Sequence, residues 1–292
     1  MDLVLLQLTL AKTAPLLLAA LGGLTSERSG VINIALEGMM LAGAFGAAAG
    51  AIASGSAWTG LLVGGISGGL LGAIHAVGCI RLRADHIVSG TAINLLALGS
   101  TGYLLFHFFG TQGSSPFAPK LPDIGISGVL RHPSTVWLAF VLAILTWFGL
   151  YKTPFGLHLR VTGESPKTAR AAGIQTARIQ YIGVIFGGFL AGIGGAHLSL
   201  GDLSHFVERM TAGRGFIALA ALIFGKWHPI GVLGACLFFG FFEALADGLQ
   251  GWTTQIPSQV FLALPFVLTM AVLAGFVGRS TPPAALGRIN EE

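Results

Sequence analysis

Apolar stretches long enough to cross a bilayer recur along almost the whole chain, and little polar sequence separates them. A hydrocarbon core of ~30 Å takes about 20 residues of helix, and backbone groups inside it must find their partners within the protein. That confines the chain to a helical bundle or a closed barrel. The ~10-residue alternating segments of a transmembrane barrel are not seen. Charged residues make up 10% of the 292 positions, against about a quarter in a soluble domain, which excludes a water-soluble globule. The fold class is therefore an all-α polytopic membrane protein. Nine spans are expected, at 3–24, 34–53, 57–80, 87–110, 134–150, 181–201, 214–225, 229–247 and 259–278. The first lacks the basic n-region of a signal peptide and carries Lys12 mid-segment, so it reads as a retained helix.

A net charge of +4 invites a nucleic-acid partner. In a membrane protein the positive-inside bias of cytoplasmic loops explains the same excess, and no nucleic-acid role is expected. With the loop 151–180 placed in the cytoplasm, Arg28, Arg81, Arg83, Lys152, Arg160, Lys167, Arg170, Arg178, Lys226, Arg279 and Arg288 fall inside. Lys120, Arg131, Arg209 and Arg214 fall outside. That asymmetry puts the N-terminus outside and the C-terminus in the cytoplasm. Residues 111–133, with four of the twelve prolines, form the longest external loop, which fits a plain connector or a seat for an external partner. A transmembrane domain over 1–278 is followed by "RSTPPAALGRINEE", read as a flexible cytoplasmic tail at 279–292.

Gly60, Gly64, Gly68 and Gly72 recur every four residues in the third span, and Gly188, Gly192 and Ala196 repeat the device in the sixth. Small residues at that spacing let another helix backbone approach closely. "SGGLLGAI" and "FGGFLAGI" also echo one another, each followed by a polar turn with His86 or His205. An inverted repeat would produce this, and so would chance resemblance between glycine-rich helices.

Polar residues among the spans are the candidates for a translocation path: Asn33, Glu37, Asn94 and Glu243. Glu27 and Arg28 sit at a boundary, where pairing in headgroup water is the plain reading. Asn33 and Glu37 are four apart, on one helical face, among Val31, Ile32, Ile34 and Leu36. A carboxylate at that depth faces the bundle interior or a water-filled path; pathway lining and a structural acceptor where the helix breaks at Gly30 or Gly38 both fit. Glu243 and Asp247 are also four apart and would repel if both were ionised, with Asp247 near the outer end. His75, His107 and His197 read as hydrogen-bonded packing residues, and Cys79 and Cys236 as packing residues rather than a disulfide. "GISGG" at 65–69 matches a hydrolase serine motif but lies inside a span instead of a strand–turn–helix, so a membrane-embedded enzyme is not favoured. No metal-ligand set or other cofactor motif appears in the sequence.

The sharpest local signal is "GLHLRVTGESPKTARAAGIQTARIQY", residues 156–181. Ser165-Pro166 is an N-cap and first-position pair, and Gly173 suits a left-handed C-terminal stop. The helix between them has about two turns, too short to stand alone in water. Ala169, Ala171 and Ala172 bury little in lipid but fit a narrow groove, which favours docking on another protein over the membrane surface.

Three stretches, "ERSGVINIALEGMMLAGA", "GLHLRVTGESPKTARAAGI" and "AGRGFIALAALIFGKWHPIGVLGACLFFG", resemble the permease subunits of bacterial ABC importers of the branched-chain amino acid/ribose class. They are most similar to the nucleoside branch that works with a lipoprotein of the basic-membrane-protein type. The resemblance implies a multi-pass permease in the bacterial inner membrane that forms half of a path. It also implies a second permease subunit in a heterodimer, a cytoplasmic ABC ATPase and an external substrate-binding lipoprotein. By the same match Glu164, Pro166, Ala169, Ala172 and Gly173 form the ATPase-coupling surface. No G-x-x-x-x-G-K-[ST] phosphate loop is present, so ATP hydrolysis is expected on a separate chain and this subunit is not an enzyme. A nucleoside is the expected cargo. Simple sugars such as ribose are the alternative, and an ion-coupled secondary transporter is a second, motivated by the possible repeat and the intramembrane carboxylates.

Overall fold

A computed structural model describes residues 2–125, 131–250 and 281–288. Among them seven helices are long and apolar enough to span a membrane: α1 (Asp2–Arg28), α2 (Leu36–Ser54), α3 (Ala57–Ala76), α4 (His86–Phe109), α5 (Ser134–Lys152), α8 (Thr176–Ala196) and α10 (Pro229–Gln250). Three shorter helices complete the set: α6 (Pro154–Glu164), α7 (Pro166–Ala171) and α9 (Arg214–Phe224). The only sheet among the described residues is a two-residue antiparallel ladder, β1 (Asp123–Ile124) with β2 (His132–Pro133).

α1 is the axis of the bundle. Leu16, Leu17, Leu18, Leu21 and Leu24 are fully buried, as expected of a helix apolar on every side. It runs antiparallel to α8: Thr25 Oγ1 donates to Gly183 O (3.1 Å) and Gly194 packs on Pro15 and Leu18. α3 is antiparallel to α8 as well. A methyl on Gly68 would collide with the Gly188 carbonyl, and one on Gly72 would come 2.9 Å from Val184 O. The two glycine stripes therefore meet each other backbone to backbone. Gly60 turns to α2 instead, where a methyl would sit 2.6 Å from Ala47 O.

α3 and α8 both run on as a π-helical turn, Val77–Arg81 and His197–Asp202. Their opposed directions and matched endings are what the sequence echo requires. The π turn shifts the register of the last side chains, and in α8 it aims buried His197 at Thr135 of α5 (Nδ1 to Oγ1 2.6 Å). His75 bonds Ser89 Oγ (3.0 Å) and Ile32 O (2.9 Å), in keeping with its reading as a packing residue. Cys79 and Cys236 are buried free thiols.

The element pattern departs from the sequence reading in three places. The seventh expected span, 214–225, is only the 11-residue α9, about 16 Å long at 1.5 Å per residue, half a hydrocarbon core. The ninth, 259–278, lies outside the described residues. The loop 151–180 holds two helices, not one, because Thr153 caps a second turn-former (Gly156 N to Thr153 Oγ1, 3.1 Å) with Pro154 at its first position. The tail expected to be flexible is folded over residues 281–288: Ala285 N donates to Gly163 O (2.9 Å) and Gly287 N to Gly30 O (3.0 Å). Its prolines and alanines leave few competing polar side chains, so its backbone donors find carbonyls on α6 and after α1.

The loop 111–133 straps the segment after α8. Ser115 N donates to Phe206 O (2.9 Å), Ala118 N to Ser204 O (2.8 Å) and Leu121 N to Leu200 O (2.9 Å).

Candidate functional site

Beyond the π turn that ends at Asp202, the chain leading to α9 is not helical. Residues 203–213 carry left-handed backbone at Ser204, Arg209, Ala212 and Gly213, an arrangement that side-chain-bearing residues adopt only when their surroundings enforce it. This segment descends along α4 from the strapped end toward the bundle middle. Glu208 Oε1 lies 3.9 Å from where a Gly102 methyl would sit, and Gly213 N donates to Glu37 Oε1 at 2.8 Å. Irregular backbone at membrane depth is tolerated where it is buried in protein or lines a wet cavity.

Glu37, in the first turn of α2, is the acceptor that makes the half-helix possible. Its Oε1 also takes Thr211 Oγ1 (2.7 Å), and its Oε2 takes Gly215 N (2.7 Å). A helix leaves its first N–H groups unpaired, and its positive end favours a carboxylate; Glu37 answers both for α9 from another helix. Asn94 performs the matching service for α2, accepting from Gly38 N (2.8 Å) and donating to Ile34 O (3.0 Å). Asn33 is buried, with Nδ2 3.7 Å from Met39 Sδ and no partner for Oδ1 among the described residues. Glu37 is an acceptor of backbone donors, but of those at Gly213 and Gly215 and not of those at the Gly30 or Gly38 break, where Gly30 N goes to Glu27 O and Gly38 N to Asn94.

Glu243 belongs to a separate charge network within the membrane. It pairs with Arg214 and lies 3.9 Å from Lys12 Nζ, which in turn holds Asp247 at 2.7 Å. Two cations thus remove the repulsion foreseen between Glu243 and Asp247. Arg214 and Arg209, expected in an external loop, are instead at the start of the half-helix and on the unwound segment. The sequence signal for the network was Lys12, a lone cation in an oily helix, which demands an acid elsewhere in the bundle.

At the other end of α9, Trp227 Nε1 donates to buried Glu27 Oε2 (2.6 Å), and Arg28 Nε donates to Trp227 O (2.8 Å). Glu27 and Arg28 are therefore not the headgroup-water pair expected. Arg28 Nη1 lies 3.8 Å from Glu164 Oε1, and Glu164 Oε2 accepts Ala284 N (3.1 Å).

The five expected coupling residues share one short stretch at this end. Ser165 accepts Thr168 N (3.3 Å), and Pro166 opens α7. Gly173 adopts φ +80°, with Gly173 N to Arg170 O (2.9 Å) and Ile174 N to Ala169 O (3.0 Å) closing the helix, the double bond of a Schellman stop. Glu164, Ala172 and Gly173 are exposed and Pro166 half-buried, but Ala169 is fully buried. Ala169, expected on a surface for another chain, instead faces inward and anchors α7 to its own subunit. Lys167, Thr168, Arg170 and Ala171 are exposed beside the others.

The family model described as branched-chain amino acid transport system, permease component, matches residues 5–273. The guanosine ABC transporter permease protein NupQ of Bacillus subtilis is 43% identical, over 96% of this chain and 93% of that protein. The nucleoside ABC transporter permease protein NupC of Lactococcus lactis subsp. cremoris is 40% identical, over 94% and 92%. The putative glucose ABC transporter permease protein TsgC13 of Haloferax volcanii is 34% identical, over 99% and 98%. The same Bacillus and Lactococcus each hold a second, more distant relative with a guanosine or nucleoside ABC transporter permease name. No solved structure matches.

Proposed function

Because this chain belongs to the family of branched-chain amino acid transport system permease components, we propose that it is the permease of a nucleoside importer and contributes half of the path. One observation carries the substrate class: near end-to-end similarity, at 43% and 40% identity, to permeases named for guanosine and for nucleosides. The more distant glucose relative keeps a simple sugar as the second reading.

Residues 1–278 form the permease domain in this reading and lie in a bacterial cell membrane. The end bearing 151–180 faces the cytoplasm, with the N-terminus outside and residues 281–288 inside. Nine crossings follow, α9 with its unwound lead-in being the seventh and 259–278 the ninth. The positive-inside asymmetry supports that sidedness. The partners are a second permease, in keeping with the paired relatives, a cytoplasmic ATPase and an external binding lipoprotein. α7 is the coupling helix, and Glu164, Pro166, Ala172 and Gly173 form its docking surface. Glu37 and Glu243 serve the path from behind by fixing the half-helix that borders it, and Asn94 by holding the start of α2 that carries Glu37, with Asn33 buried beside that same start.

The test is ATP-dependent uptake of labelled guanosine and uridine by the reconstituted assembly, with glucose and ribose as competitors. Gly173→Val strains a left-handed stop by roughly 1–2 kcal/mol and is expected to separate ATP hydrolysis from uptake. Unchanged coupling in that variant would remove the coupling-helix assignment. Uptake driven by an ion gradient in the purified chain alone would favour the secondary transporter.

A further inference from the structure

Leu95, Leu98, Gly99 and Gly102 of α4 form one wall of a cavity of about 400 Å³, closed on the other side by Glu208 and Arg209 of the unwound segment. Gly99 lies ten residues before Phe109, roughly 15 Å from that end of a 24-residue helix, so the cavity opens sideways near mid-depth. Glu208 and Arg209 are both exposed there. An ionised side chain facing hydrocarbon at this depth costs roughly 2.5–3.5 kcal/mol or more. Glu208 is held at the cavity by Gly113, whose N–H donates to Oε1 (3.3 Å) and whose carbonyl accepts Glu208 N (2.8 Å), which leaves Oε2 to face outward. Lipid is therefore the wrong neighbour for this face. None of the four residues singled out in the sequence lines it.

We propose that this cavity is the point at which the transported solute touches this subunit, and that it is shaped for a neutral nucleoside. The identity of the solute rests on the reading above; the wetness of the face does not. The chemistry of the wall supports both hydroxyl and ring recognition. A carboxylate at Glu208 accepts from a vicinal diol, and the Arg209 guanidinium donates to a ring carbonyl or nitrogen. Leu95 and Leu98 offer an apolar surface to the base. A methyl at Gly99 would meet no protein atom within 4 Å, so a flat ring has room against the α4 backbone. One acid and one base leave the site without net charge, which suits weak contact with a neutral solute and repels a phosphate from Glu208.

The experiment uses the assembled importer in membrane vesicles, with Cys79 and Cys236 replaced by Ala. Gly99→Cys is expected to react with a charged, membrane-impermeant methanethiosulfonate, and millimolar guanosine is expected to slow the reaction at least threefold. Reaction with a lipophilic maleimide alone overturns the proposal, as does a charged-reagent rate that no nucleoside changes. In parallel, Gly99→Leu fills the open space without a protein clash and is expected to cut guanosine uptake tenfold or more at normal protein level and thermal stability. Wild-type uptake in Gly99→Leu also overturns it. If the native importer takes up no nucleoside, the substrate reading of the previous section fails separately, because reagent access to Gly99→Cys is measured without transport.

Discussion

Glu37→Ala tests the idea that a carboxylate on α2 holds the half-helix α9 in place. The native side chain accepts Gly213 N at 2.8 Å, Gly215 N at 2.7 Å and Thr211 Oγ1 at 2.7 Å. Gly215 and Thr211 are buried. Removing the acceptor strands two backbone donors at roughly 1–3 kcal/mol each and deletes the charge at a helix N-terminus, about another 0.3–1 kcal/mol. The hydroxyl can rotate to another acceptor and adds little. A loss of about 4 kcal/mol follows, and at roughly 2 °C per kcal/mol for a chain of this size the melting temperature should fall by about 8 °C. Intrinsic tryptophan fluorescence of the detergent-purified assembly reads this, at one fixed scan rate because such unfolding is irreversible. Glu37→Gln keeps one carbonyl acceptor but turns an amide N–H₂ toward a backbone donor, so it should lose about half as much. A Glu37→Ala protein that melts within ~2 °C of the native one refutes the reasoning.

The charge network should behave as a unit: Lys12→Met alone leaves Asp247 uncompensated and is expected to lower stability more than Lys12→Met combined with Asp247→Asn, a coupling read in a double-mutant cycle of melting temperatures. Gly195→Ala drives a methyl into the Met40 carbonyl and should cost roughly 1–3 kcal/mol or more, whereas Gly149→Ala, with open space beside it in α5, should be neutral or stabilising by up to about 1 kcal/mol; thermal scans of the two variants check the contrast. Asp85 caps α4 through Val88 N (3.0 Å) and Ile87 N (2.8 Å), which holds its carboxyl below the usual carboxylate range. Its contribution is complete above the unfolded carboxylate value of about 4 and is lost as pH falls through the lower folded value, so the stability gap between native protein and Asp85→Asn should narrow on acidification below about pH 4.

Much of the bundle was legible because its cause is local. Length and apolarity place α1 to α5, α8 and α10, with ends displaced by several residues (α8 is Thr176–Ala196 where 181–201 was expected), and the four-residue glycine spacing of α3 and α8 announces a close backbone approach that the structure contains. The short α7 was legible through Ser165, Pro166 and Gly173, each a statement about its own backbone. The failures concern long-range partners. Nothing near Glu37 says that it will cap a helix 178 residues away through Gly215. α9 was misjudged as a full-length helix because its apolar run is the same whether its first turn is held by lipid-depth carboxylate or by solvent. Arg209 and Arg214 were assigned to an outer loop because hydropathy sees charge and not the acids that compensate it. Ala169 was taken for surface because alanine fits either side of a two-turn helix; only the fold decides which side.

Those long-range partners all converge on α9. Its start is gripped twice, by Glu37 on the backbone and by Glu243 on the Arg214 side chain. Its far end is gripped through Trp227, bonded to Glu27 and Arg28, and Arg28 faces Glu164 at the junction of α6 and α7. One ion pair therefore separates the proposed docking helix from the end of the half-helix whose beginning borders the Glu208–Arg209 cavity. A full-length span would be anchored in the bundle along both halves and would resist an axial push. An 11-residue rod preceded by left-handed, non-helical chain has its compliance concentrated at residues 203–213. Motion delivered at α7 would therefore be absorbed next to the cavity and not distributed through the glycine-packed core of α1, α3 and α8, where the absence of side-chain space leaves nothing to yield.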